Sequence, residues 1–123
     1  MSGSDVLIAE DDAVLREVYV KKLSLAGFVV RTAQNGREAI EAVERERPRL
    51  LILDLNMPEV DGFAVLRRFP RAERPFSIIV LTNFADAQNR ERALTLGADD
   101  FIVKSEITVK ALVEKVNALV RDA

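Results

Sequence analysis

Three runs of uninterrupted apolar side chains constrain the fold more than any other feature: Val6-Leu7-Ile8-Ala9, Leu50-Leu51-Ile52-Leu53 and Ile78-Ile79-Val80-Leu81. A strand with one wet face alternates apolar and polar residues, whereas a strand covered by helices on both faces is apolar throughout. Each run is far shorter than the roughly 20 apolar residues that span a membrane. The first run ends in Glu10-Asp11-Asp12, the second in Asp54 and the third in Thr82. Asn56, Pro58 and Gly62 then supply turn residues after Asp54. Buried strands that deliver carboxylates from the same end point to one shared anionic pocket.

Helix-period segments separate the runs. Strand one is Val6 to Ala9. Asp12 caps the next helix, in which Leu15, Val18, Tyr19, Leu23 and Ala26 recur at three- and four-residue spacing before Gly27. Strand two covers Phe28 to Thr32, Asn35-Gly36 turns, and a helix from Arg37 to Arg47 stops at Pro48. Strand three is Leu50 to Asp54, followed by a short helix from Phe63 to Phe69. Strand four is Ser77 to Thr82, followed by a polar helix from Ala85 to Leu96. Strand five is Phe101 to Val103, and the last helix runs from Ile107 to Arg121. Strands joined by helices are parallel with right-handed crossovers, which predicts a single doubly wound α/β domain. Ligands of such sheets bind beyond the carboxyl ends of the strands, where Glu10, Asp11, Asp54, Thr82 and Lys104 all fall.

Composition excludes several chemistries. The chain has 123 residues, no cysteine and no histidine, so disulfides, thiol nucleophiles and His-based triads or metal sites are ruled out. The net charge of −2 argues against direct nucleic-acid binding, and no membrane segment is expected. Residues 1–4 are expected to be a disordered or tag-derived start, with the domain over 5–121. Arg45, Arg47 and Arg49, and Arg67, Arg68, Arg71 and Arg74, read as solvated faces. Asp99-Asp100 read as shaping the turn after Gly97.

Clustered carboxylates repel one another by about 1–4 kcal/mol per pair at effective dielectrics of 80 to 20. A hard cation relieves that repulsion, and an all-oxygen donor set favours Mg²⁺, with Mn²⁺ as a substitute. Without metal, the cluster is expected to destabilise the fold, so Asp11→Ala or Asp54→Asn would raise the melting temperature. Lys104 adds a mobile positive charge and Thr82 a hydroxyl. A carboxylate nucleophile, a metal, a lysine and a hydroxyl together suit phosphoryl transfer.

Glu10-Asp11, Asp54 with Met57-Pro58 and Asp61-Gly62, Leu81-Thr82, Gly97-Ala98-Asp99-Asp100 and Lys104 resemble the receiver domain of two-component response regulators over Asp5 to Val120. The resemblance implies a flavodoxin-like (βα)5 fold with strand order 2-1-3-4-5. It implies that Asp54 takes a phosphoryl group from a sensor histidine kinase or histidine phosphotransfer protein. Mg²⁺ would be held by Asp11, Asp54 and the Asn56 carbonyl, with Glu10 acting through a metal-bound water. Lys104 would pair with a phosphoryl oxygen. Thr82 and Phe101 would form the switch that alters the surface of helix four, strand five and helix five. The domain would catalyse its own phosphotransfer and autodephosphorylation without being a conventional enzyme. It would be cytoplasmic, monomeric or dimeric on phosphorylation, and would act on a protein target or an output domain.

Three positions depart from the family pattern. Ser105 stands where a cis proline is usual; a non-proline cis bond costs about 2.5–4 kcal/mol, so a trans Lys104–Ser105 bond and a rearranged loop are expected. Asn83 stands where a small residue is usual and is expected to obstruct the attacking water. Phe101 lacks the hydroxyl of the commoner tyrosine, leaving the switch to packing alone. A haloacid-dehalogenase-type phosphatase would need an acid where Asn56 stands. A receiver-like binding module that is rarely or never phosphorylated is the remaining alternative.

Overall fold

A computed structural model describes residues 5–83 and 86–121. The elements are β1 (Val6–Ala9), α1 (Ala13–Leu25), β2 (Val30–Ala33), α2 (Gly36–Arg45), β3 (Leu50–Leu53), α3 (Gly62–Arg68), β4 (Ser77–Thr82), α4 (Ala87–Thr95), β5 (Asp100–Val103) and α5 (Val109–Arg121). Single 3₁₀ turns cover Arg71–Glu73 and Lys104–Glu106. The five strands form one parallel sheet in the order β2-β1-β3-β4-β5, as expected. The expected start at residues 1–4 and the expected first helical residue, Ala85, lie outside the described residues.

Strand side chains alternate between faces, and the core divides accordingly. Leu7, Leu51, Leu53, Ile78 and Val80 pack against Ala39 and Val43 of α2, Phe63 and Leu66 of α3, and Ala93 of α4. Val6, Ile8, Leu50, Ile52, Ile79 and Leu81 pack against Tyr19 and Leu23 of α1 and Leu112 and Val116 of α5. Both faces of the three central strands are therefore dry, which is why their sequences carry no alternation.

Several boundaries differ from the sequence reading. β2 begins at Val30 because Phe28 turns back into the α1 face of the core, where its N–H donates to the Leu23 carbonyl at 3.1 Å. α2 ends at Arg45: Glu46 is already extended (φ −155°, ψ 116°), two residues before Pro48 disfavours helical geometry at Arg47. α5 starts two residues late, at Val109, because the 3₁₀ turn Lys104–Glu106 intervenes and Thr108 Oγ1 accepts from Ala111 N at 3.0 Å. The described residues contain no cis peptide bond, so the Lys104–Ser105 bond is trans, as expected.

Arg67, Arg68 and Arg71 are exposed as expected, but Arg74 of the same run is not part of a solvated face. The Arg74 side chain is only 2% exposed, and its guanidinium donates to the carbonyls of Phe76, Phe69 and Gly97 at 3.0, 2.9 and 2.5 Å. It also meets Asp99 Oδ2 at 2.7 Å, and that oxygen accepts from Ile78 N at 2.8 Å. Asp99 thus does more than shape a turn. The pair fastens the end of α3, the start of β4 and the turn after α4 beneath the sheet. Spacing gave no hint of this, because an arginine beside Pro75 reads as a loop residue.

Removing one partner of a buried ion pair strands the other. Arg74→Met is expected to cost about 3–5 kcal/mol in urea unfolding. Arg71→Ala, whose side chain is 70% exposed on the same aspartate, is expected to cost less than about 1 kcal/mol.

Candidate functional site

The register brings three strand ends together. Ala9 lies opposite Leu53, so Glu10 and Asp54 emerge side by side, while Lys104, which follows Val103 opposite Thr82, reaches them across β4 from beyond the end of β5. The ladder continues one step further: Asp54 N donates to Ala9 O at 3.1 Å and Glu10 N to Ala33 O at 3.0 Å. The resulting cavity of about 290 Å³ is lined by Glu10, Asp11, Asp12, Leu15, Asp54, Asn56, Thr82, Asn83 and Lys104. Every strand-end residue that the sequence singled out is in it.

Lys104 sits between two acids. Its Nζ lies 2.8 Å from Asp54 Oδ2 and 2.5 Å from Glu10 Oε1, with all three side chains buried. Burial opposes the lysine's charge, but the hydrogen bonds to Asp54 and then Glu10 outweigh it and hold its pKa above the usual lysine value. Its stabilising contribution is therefore complete at neutral pH and is lost only as pH rises through that raised value. Burial pushes Glu10 above the usual carboxylate range, an effect strengthened by the Asp54 charge and opposed by the hydrogen bonds from Lys104 and Asp12 N.

The loops are held by local caps. Asp12 Oδ1 accepts from Val14 N and Leu15 N at 2.9 and 3.1 Å, as expected of a capping residue. Arg16 Nη1 donates to Glu10 O at 2.8 Å and fixes the turn from behind, a role the sequence reading missed. Asp11, between these anchors, is exposed, and among the described residues its carboxylate has no hydrogen bond or ion pair. On the other side, Asn56 N donates to Asp54 Oδ1 at 3.3 Å. Gly62 is required sterically: a Cβ there would lie 2.4 Å from the Asp54 carbonyl oxygen and 2.7 Å from Leu55 Cα.

Glu10, Asp11 and Asp54 each offer a carboxylate oxygen within 4.8 Å of the others. With Lys104 among them, three carboxylates and one ammonium leave two negative charges. An all-oxygen donor set with that residual charge fits a hard divalent cation, and the exposure of Asp11 leaves an open approach. Lys104 bridges the buried pair, so the acids are partly compensated, and of the three only Asp11 has no ion-pair partner among the described residues.

Thr82 is fully buried at the end of β4. Asn83 is exposed at the rim, and Ser105 lines an adjoining groove with Tyr19 and Lys104. Phe101 is buried, with the Arg90 guanidinium 5.9 Å from its ring centroid. Packing alone therefore does not describe its surroundings.

A doubly wound domain with an acid–lysine pocket at its strand ends is a class defined by its fold and site together. The model of the response regulator receiver domain matches residues 6–117, and the chain belongs to that family. It is 37% identical over 121 residues to a probable transcriptional regulator of Porphyridium aerugineum, covering 98% of this chain and 50% of that protein. It is 34% identical to the response regulator MprA of Mycolicibacterium vanbaalenii, covering 94% of this chain and 50% of that one. The chain thus spans about half the length of these relatives. Among solved structures, the signal receiver domain of a histidine kinase from Syntrophus aciditrophicus matches with a TM-score of 0.86 at 33% identity, covering 98% and 92% of the two chains. A CheY-like receiver domain protein from Methanospirillum hungatei matches with a TM-score of 0.88 at 26% identity, covering 98% and 96%. No helix among the described residues is long and apolar enough to cross a membrane.

Lys104→Met leaves two buried carboxylates without a counter-charge and is expected to lower stability in chelator by about 3–5 kcal/mol. Asp11→Ala is expected to raise it by about 1 kcal/mol, the repulsion of exposed charges near 4 Å. Urea unfolding in EDTA checks both; a stabilised Lys104→Met would contradict the charge assignment.

Proposed function

We propose that this domain takes a phosphoryl group onto Asp54 from a phosphohistidine of a sensor kinase or phosphotransfer protein, in two-component signalling. The observation that carries the reading is the Lys104 ammonium held 2.8 Å from an otherwise buried aspartate, beside an exposed second acid. In the transfer, an Asp54 carboxylate oxygen bonds to phosphorus while the donor's P–N bond breaks and the electron pair returns to the imidazole. Lys104 follows the growing charge onto a phosphoryl oxygen, and its release leaves Glu10 free of its cation. Thr82, at the end of β4, supplies a hydroxyl to another phosphoryl oxygen. Asp11 and Asp54, with the Asn56 carbonyl and Glu10 through water, are the residues that would hold Mg²⁺. That ion supplies charge neutralisation to the phosphoryl oxygens.

The added charge biases the domain between two arrangements of the α4–β5–α5 face, with Phe101 at its centre. We infer that this face controls a protein target or an output portion of a longer protein. Two relatives named above are regulators, one of transcription by its name, so a transcriptional output is the favoured class. The receiver itself, at net charge −2, is assigned no direct DNA contact. A cytoplasmic location follows from a phosphohistidine donor.

Incubation with acetyl phosphate and Mg²⁺ is expected to add the mass of one phosphoryl group to the intact protein. Asp54→Asn is expected to abolish the adduct and EDTA to suppress it; an unchanged adduct on Asp54→Asn would refute the assignment. Asn83 lines the cavity from its exposed rim, where water must enter to attack phosphorus. Asn83→Ala is expected to shorten the life of the adduct, followed by its decay after removal of donor; an equal or longer life would contradict a shielding role.

A further inference from the structure

α4 is attached to the domain in an unusual way. Most helices here bury an apolar stripe, such as Ala39, Ala42 and Val43 of α2 or Phe63, Val65 and Leu66 of α3. α4 buries Ala93 alone, and Leu94 is among the exposed large apolar residues. Its sequence, Ala87-Gln-Asn-Arg-Glu-Arg-Ala-Leu-Thr95, has no apolar stripe to bury. Two arginines, one and three residues before Ala93, compensate. Arg92 lays its guanidinium 4.0 Å from the centroid of Phe63, on α3, and Arg90 places its own 5.9 Å from that of Phe101, on β5. Phe63, Ala93 and Phe101 all belong to one core cluster, so the two arms grip rings on the seam that Ala93 plugs.

Among the described residues, the two ends of α4 are held unequally. Beyond its last turn, Gly97 and Asp99 are locked to Arg74 beneath the sheet. Its first turn is held by the Asp86 cap, whose Oδ1 accepts from Asn89 N at 2.8 Å, a contact within the segment itself. Both rings stand on elements that lead to the pocket: Phe63 follows Gly62, where a Cβ would meet the Asp54 carbonyl, and Phe101 lies near the start of β5, the strand that ends just before Lys104.

We propose that α4 is a polar strap, anchored at its C-terminal end by Arg74–Asp99 and latched over the Phe63–Ala93–Phe101 seam by the Arg92 and Arg90 guanidinium groups. The latch is made of contacts weak enough to open locally while the sheet stays folded. Loss of either arm loosens the strap without touching the Asp54 pocket. The regulatory part of this inference rests on the phosphoacceptor reading; the existence of the strap does not.

Amide hydrogen exchange on the full chain, without phosphodonor, tests the strap. Arg92→Met and Arg90→Met keep the apolar stem and remove the cation. Each is expected to speed exchange of peptides covering residues 87–95 by about two- to five-fold, the loss of one cation–ring contact. The double variant is expected to exceed either, and Arg92→Lys to lie between Arg92→Met and the parent. Peptides covering β1 and β3 are expected to be unchanged. No acceleration at 87–95, or equal acceleration in the sheet strands, would overturn the proposal. Repeating Arg92→Met in the Asp54→Asn background is expected to give the same acceleration, so a failure of Asp54 to accept phosphate is told apart from a failure of the strap. With acetyl phosphate and Mg²⁺, the additional acceleration at 87–95 is expected to be smaller in Arg92→Met than in the parent; an equal or larger one would overturn the latch as the element that phosphorylation releases.

Discussion

The contact of Lys104 with both Asp54 and Glu10 is the interaction on which the rest of the pocket depends. It joins the ends of β1, β3 and β5 through one ammonium. Two acids can be buried there only because that cation is buried with them. The same contact leaves Asp54 hydrogen-bonded, and of the three clustered acids it leaves Asp11 as the one without an ion-pair partner among the described residues. The fit to a hard divalent ion follows from the two negative charges that one ammonium leaves among three carboxylates.

The scaffold explains how a flexible side chain reaches this place reproducibly. Continuous apolar strands fix a parallel register with helices on both faces, and the register sets Glu10 and Asp54 level, with Lys104 reaching back to them from beyond the end of β5. Gly62 lets α3 begin directly against the Asp54 backbone. At the opposite, N-terminal ends of the strands, Arg74 and Asp99 do for those loops what Lys104 does at the carboxyl ends. One charged pair at each pole ties segments that the hydrophobic core leaves loose. Between the poles, α4 is the least buried helix, and arginine–ring contacts replace the apolar stripe it lacks.

Much of this was legible in the chain. Uninterrupted runs such as Leu50–Leu53 can be satisfied only between two helical layers, so the doubly wound sheet followed from them. Glu10, Asp11, Asp54, Thr82 and Lys104 were placed by strand ends alone, because direction and register leave a terminal residue few destinations. Long-range partnerships were not legible. Arg74 and Asp99 are 25 residues apart, and neither lies in a periodic segment that would reveal burial. Lys104 could be read as a charge partner for Asp54, but its simultaneous contact with Glu10 could not, because strand ends do not reveal the reach of a four-carbon stem across β4. The start of α5 was misplaced because Ile107 fits the helical period, although a 3₁₀ turn and the Thr108 cap precede the helix.

The central claim is that the Lys104 ammonium is a counter-ion that Asp54 surrenders to an incoming phosphoryl group. A crystal structure of the domain with Mg²⁺ and beryllofluoride, a phosphoryl mimic, tests it most directly. The expected result is the mimic on an Asp54 oxygen, a cation between Asp11 and Asp54, and Lys104 Nζ moved from Glu10 and Asp54 onto a fluoride. An Asp54 without the mimic, or a Lys104 that keeps both carboxylate contacts beside a bound mimic, would contradict it.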